Sequence, residues 1–170
     1  MSVRRVFGVD PGLAVTGFGV IDGDGTTARL VVCGVLRTRA RDPRPVRLAD
    51  LFTRAGALLD ELQPAELAME QHYVATNVRS AMTLGEARAA VLVAAAVRGV
   101  PTFEYPASTI KHTVAGYGAA PKEQVQAMVT MHLGLAEPPT PLDASDALAV
   151  ALTRLATGRI ELLLAREGGR

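Results

Sequence analysis

Val3-Arg-Arg-Val-Phe-Gly-Val-Asp10 runs into the breaker Pro11-Gly12, and Ala14-Val-Thr-Gly-Phe-Gly-Val-Ile-Asp22 follows almost at once. Gly23-Asp24-Gly25 then reads as a tight turn into a third apolar run, Ala28-Arg-Leu-Val-Val-Cys-Gly-Val-Leu-Arg-Thr38. Branched and aromatic residues bounded by Gly, Pro and Asp are the signature of strands. The connections are too short for a parallel crossover, which needs a dozen or more residues, so the three strands form an antiparallel meander.

Beyond Thr38 the period of the pattern changes. Leu48, Leu51, Phe52, Ala55, Leu58, Leu59 and Leu62 recur at helical spacing over residues 46–62, and Pro64 closes that helix. Residues 66–71 read as a short buried strand, 77–98 as a long alanine-rich helix opened by Asn77, and 101–105 as another short strand. Helices are expected at 107–115, 121–133 and 143–157. The order β-β-β-α-β-α-β-α-α-α implies a mixed five-stranded α/β sheet, with three antiparallel and two parallel strands and helices on both faces. No repeat or linker interrupts it. The expectation is one domain over residues 1–157, with residues 158–170 as a frayed tail.

The 170 residues are 49% hydrophobic and 21% charged, which excludes a disordered or collagen-like chain. No apolar run approaches the ~18 residues of a bilayer span. The first residues lack the apolar core and cleavage site of an export signal. The single cysteine, Cys33, cannot pair within the chain, and these features together suggest a cytoplasmic protein. The net charge is only +1, yet arginine supplies 16 of the 18 basic residues, and nine arginines precede residue 60. Arg37, Arg39, Arg41, Arg44 and Arg47 crowd together, a run whose plainest reading is a solvated strand end and loop. The only lysines, Lys111 and Lys122, share one short stretch.

Four acids fall where chemistry is expected. Asp10 ends the first strand, Glu70 lies near the end of the fourth, and Asp143 and Asp146 sit three positions apart at the start of the last helix, on one face of it. Each has an ordinary explanation: an Asp-Pro-Gly turn for Asp10, an N-cap for Asp143, and a favourable helix-dipole position for Asp146. Glu70 is harder to dismiss, because a carboxylate ending the apolar run Leu67-Ala68-Met69 needs a partner. Functional sites of α/β sheets lie at the carboxyl ends of the strands, where all four acids could meet. Four hard oxygen donors without an accompanying cysteine favour Mg²⁺ or Mn²⁺ over zinc.

Gly8-Val9-Asp10-Pro11-Gly12 with Thr16-Gly17-Phe18-Gly19-Val20, Glu70-Gln71, Leu84-Gly85-Glu86-Ala87-Arg88, Lys111, Lys122 and Asp143-Ala144-Ser145-Asp146-Ala147-Leu148-Ala149 together resemble the RuvC crossover-junction endodeoxyribonucleases. These are Holliday-junction resolvases of the RNase H-like, integrase-type fold, and the resemblance runs in one register from about residue 4 to 157. It implies a homodimer that nicks two opposed strands of a four-way DNA junction, leaving 5′-phosphate and 3′-hydroxyl ends. It also implies that Asp10, Glu70, Asp143 and Asp146 hold two Mg²⁺ or Mn²⁺ ions for phosphodiester hydrolysis. Lys111 and Lys122 match lysines that hold DNA phosphate beside the site. Tyr73 falls where the family carries a base-stacking aromatic, commonly phenylalanine, so Tyr73 and its neighbour His72 depart from the commoner pattern. Arg79 and Arg88 are expected near phosphate, the alanine-rich helix in the dimer contact, and the branch-migration proteins RuvA and RuvB as partners. Setting aside the four acids leaves +5 per subunit, a balance suited to nucleic acid.

Three alternatives carry part of the pattern. The Gly8–Gly17 segment also resembles the first phosphate loop of actin-like ATPases and sugar kinases, but those need two such domains. RNase H-like nucleases of ribosomal RNA precursors are shorter, with a different acid spacing. A catalytically inactive junction-binding protein has no need of all four acids.

Overall fold

The computed structural model describes residues 3–71 and 77–167. Among the described residues ten elements occur in the expected order. They are β1 (Arg4–Asp10), β2 (Val15–Gly23), β3 (Ala28–Arg37), α1 (Arg44–Leu62), β4 (Glu66–Gln71), α2 (Val78–Ala96), β5 (Thr102–Pro106), α3 (Ala107–Ala115), α4 (Lys122–His132) and α5 (Leu142–Glu167). The strands form one sheet in the order β3-β2-β1-β4-β5. β1–β2 and β2–β3 are antiparallel, while β1–β4 and β4–β5 are parallel, as the short and long connections dictate. Among the described residues no helix is long and apolar enough to cross a membrane.

The period-2 alternation of the strands divides the interior into two cores. Phe7 and Val9 of β1, Phe18 and Val20 of β2, and Leu67 and Met69 of β4 pack with Leu51, Leu59, Val91 and Ala94 of α1 and α2. Phe7 and Phe18 stack there with ring centroids 6.0 Å apart. On the opposite face Val6, Ile21 and Ala68 meet α3, α4 and α5 through Ile110, Val129, Leu148 and Leu155. Asp10 shares the parity of Val6 and Gly8, and Glu70 that of Ala68. Both acids are therefore directed to the α5 face, and the pairing of Val9 with Met69 makes them next-door positions on adjacent parallel strands.

The last helix departs from expectation. Instead of ending at residue 157 with a frayed tail, α5 continues through Gly158 to Glu167. Gly158 lies inside it, in a tight place: a Cβ there would lie 2.5 Å from an Arg4 guanidinium nitrogen. A pairing two turns long spans the same point, since Arg154 Nη1 donates to Glu161 Oε2 at 2.9 Å. The N-terminus of α5 also shifts by a residue, so Asp143 stands in the first turn and not at the cap.

Candidate active site

β1 and β4 end side by side, and α5 begins above them. How closely it can begin is set by glycine. Gly8 and Gly19 are cross-strand partners, and Gly17 pairs with Asp10 itself. A Cβ on Gly8 would come within 2.0 Å of the Ala147 carbonyl oxygen, and one on Gly17 within 2.0 Å of the Asp143 carbonyl oxygen. The helix answers with buried Ala144, Ala147 and Ala151. This close approach carries the Asp143–Asp146 turn onto the end of β1. Gly17 is a positioning residue, a role that neither its place in a strand nor its place in the motif names; the signal for it is glycine on alternate strand positions matched by alanine along one helix.

For Gly17→Ala the intruding methyl meets backbone, which cannot rotate away, so α5 must lift. Overpacking of this kind costs about 1–3 kcal/mol. The expected outcome is a melting temperature lowered by several degrees, with nicking activity falling much further than stability accounts for.

Asp10, Glu70, Lys111, Lys122 and Asp146 line one cavity, closed below by Ile110, Val125 and Ala149. Asp143 lies outside that lining, but its charge reaches Asp10. Burial and then the neighbouring carboxylates of Asp146, Glu70 and Asp143 push Asp10 up to about 7, and Lys122 offsets this only in part. Lys122 Nζ stands 3.3 Å from Asp146 Oδ2, and that pairing holds the ammonium charged above the usual lysine range. Among the described residues no three His, Cys, Asp or Glu side chains close into a ligand cage. The acids thus share a cavity and repel one another across it, in an open arrangement.

The other expected site residues are placed less uniformly. Arg79 is exposed in the first turn of α2, where Asn77 Oδ1 accepts from the backbone N–H groups of Arg79 and Ser80 at 3.0 and 3.3 Å. With Gly12, Leu13, Ser80, Thr83 and Leu84 it borders a groove beside the β1–β2 connection. Among the described residues Arg79 makes no salt bridge. Arg88 is engaged within the chain. Its guanidinium donates to the Glu70 carbonyl and pairs with Glu104 Oε2 at 2.6 Å, which fixes the end of β4 from behind. Tyr73 and His72 lie outside the described residues. Cys33 is part-buried and packs against the second core, as expected of a structural thiol.

A five-stranded mixed sheet in this order, with acids gathered at the carboxyl ends of its central strands beneath the start of the last helix, defines an RNase H-like protein. A family model described as "Crossover junction endodeoxyribonuclease RuvC" matches residues 6–154. The chain belongs to that family. It is 46% identical over 148 residues to the crossover junction endodeoxyribonuclease RuvC of Chloroflexus aggregans, covering 87% of this chain and 90% of the relative. The Thermus thermophilus RuvC, solved in complex with a Holliday junction substrate, superposes with a TM-score of 0.89 at 36% identity, over 93% of this chain and 96% of that one. The yeast mitochondrial Holliday junction resolvase gives a TM-score of 0.67 at 14% identity, over 94% of this chain and 81% of that one, a likeness of fold alone.

Proposed function

We propose that this protein resolves four-way DNA junctions by paired, symmetric hydrolytic nicks in recombination and repair, leaving 5′-phosphate and 3′-hydroxyl ends. The observation that carries the reading is the shared cavity of Asp10, Glu70 and Asp146 with Lys111 and Lys122, in a chain of the RuvC family.

The donor set fits a hard divalent cation. It offers carboxylate oxygens only, and the upward push on Asp10 comes from burial and then from its carboxylate neighbours. Asp10, Glu70 and Asp146, with Asp143 beside them, would hold Mg²⁺ or Mn²⁺, two ions per site. Such ions supply Lewis-acid polarisation of the phosphodiester and an acidified water. Lys122 reaches Asp146 in the free protein and is placed to exchange that partner for a DNA phosphate, while Lys111 approaches from α3. Gly8 and Gly17 keep the acids in register, and Arg88 steadies the backbone of Glu70. Tyr73, three residues past Glu70, is the base-stacking candidate. Mapping nicks on mobile and immobile synthetic junctions, with Mg²⁺ or Mn²⁺, tests the reading. Symmetric paired nicks that require the ion support it; single-strand RNA cleavage, or binding without cleavage, would replace it.

The exposed face of α2 supports a homodimer. Val78, Met82, Gly85, Ala89, Val93 and Ala96 are all exposed, spaced four, three, four, four and three residues apart, and no charge interrupts the stripe. Val78 and Met82 are 71% and 60% exposed. An exposed apolar seam of this length fits a second copy of the same helix. Ala89→Arg should shift the protein to monomer in analytical ultracentrifugation and replace paired nicks by uncoupled single ones. A cytoplasmic location and a hand-over from RuvA and RuvB complete the reading, and co-purification with those proteins on junction DNA tests the latter.

A further inference from the structure

The arginine run between β3 and α1 is not a casual solvated loop. Residues 37–54 carry six arginines against two aspartates, in a chain whose net charge is only +1. β3 ends at the same edge of the sheet where β1 delivers Asp10, so the run begins two strands from the site, roughly 10 Å away at the usual strand spacing.

The segment is stapled to the connection that follows Asp10. Thr38 N–H donates to the Ala14 carbonyl at 3.2 Å, and the Thr38 hydroxyl donates to the Leu13 carbonyl. Arg47 clamps both partners, with Nε 2.8 Å from Thr38 Oγ1 and Nη2 3.2 Å from the Leu13 carbonyl. Arg44 ties the far end to α2 through Glu86 and Thr83, at 3.2 and 3.1 Å. A turn closes between them, where Asp42 N–H donates to the Arg39 carbonyl at 3.0 Å.

What this frame presents outward is Arg37, Arg39 and Arg41, all exposed. Among the described residues Arg37 and Arg39 have no ion-pair partner, and Arg41 only approaches Asp42 at 4.0 Å while 81% exposed. The other acid of the segment, Asp50, is engaged by Arg54 at 3.4 Å. Three unneutralised guanidiniums on a rigid frame, level with the acidic cavity, match the charge and planar geometry of phosphodiesters.

We propose that Arg37, Arg39 and Arg41 form a second DNA-contact surface, which grips the phosphates of a junction arm several base pairs from the scissile position. The inference rests on the junction-resolving reading and extends it from the cavity to the arm. It requires that duplex leaving the site pass over β2 toward β3 and not over β5.

The test uses the full chain and four-way junctions with ordinary arms, or with uncharged methylphosphonate linkages several base pairs from the crossover. The triple variant Arg37→Ala/Arg39→Ala/Arg41→Ala should keep the wild-type melting temperature, because these residues are exposed and hold no close ion pair among the described residues. Each lost phosphate contact removes about 0.9 from the slope of log affinity against log salt. Raising salt from 50 to 200 mM should therefore cost the wild type roughly forty-fold more affinity than the variant. The methylphosphonate arms should weaken the wild type and leave the variant indifferent, and lysines at the three positions should restore most of the binding. Unchanged slope and affinity in the triple variant, beside a wild type that binds and resolves junctions, would overturn the proposal and leave an acidic protein as the partner. A wild type without junction affinity would instead overturn both this surface and the reading beneath it.

Discussion

Asp10→Asn is expected to abolish junction nicking, to spare junction binding and to make the metal-free protein more stable. The loss of cleavage should be three orders of magnitude or more, because the variant removes the carboxylate on which the cavity's charges converge. Stability moves the other way. The carboxyl rises from its ordinary 3.8 to about 7 in the folded chain, through burial first and then Asp146, Glu70 and Asp143. A raised acid binds more protons folded than unfolded, so ionising it costs the fold. The cost is absent below pH 4, grows as pH rises through 4 to 7, and is complete above that. Its upper magnitude is about 4 kcal/mol. Thermal melts in chelator at pH 8 should place Asp10→Asn roughly 5–10 °C above the wild type, and the gap should close toward pH 4. Adding Mg²⁺ should raise the wild type toward the variant. A variant no more stable at any pH would show that the carboxylates do not strain the free protein, and normal nicking would remove Asp10 from the site.

The second large effect lies midway along α5. Arg154 is 3% exposed, the most deeply buried charge among the described residues. Its Nε and Nη2 reach Glu66 at 2.8 and 3.0 Å, Nη1 reaches Glu161 at 2.9 Å and the Tyr105 hydroxyl at 3.3 Å, and the guanidinium lies 3.5 Å over the Phe103 ring. Arg154→Met leaves Glu66 with Arg4 alone, 3.2 Å away. Removing one member of a buried pair costs about 3–5 kcal/mol, so the melting temperature should fall by roughly 10 °C. Replacing both partners, Arg154→Met with Glu66→Leu, should recover most of the loss, since an apolar pair of similar volume avoids the stranded carboxylate. Equal destabilisation in single and double variants would mean that packing, and not charge, sets the energy.

Glu66 and Glu70 show where sequence and structure divide the work. The sequence alone determined the elements: alternation gave three short-linked strands, helical spacing gave the helices, and connection lengths fixed which strands pair antiparallel. It also drew attention to Asp10, Glu70, Asp143 and Asp146, because strand ends and helix starts are legible locally. It gave no role to Glu66, which flanks the same apolar run as Glu70 and shares its face of β4. The tertiary structure decides between them by laying α5 along that face. Four strand residues span about 13 Å and eight helix residues about 12 Å, so Asp146 and Arg154 fall over opposite ends of the strand. One end joins a carboxylate to a buried guanidinium; the other gathers carboxylates around a cavity and leaves their repulsion for an ion or a lysine to relieve. The same long-range packing turns Arg88 inward, carries α5 past Gly158, and makes Gly8 and Gly17 indispensable. Each depends on the distance between elements remote in the chain, and periodicity carries no record of that distance.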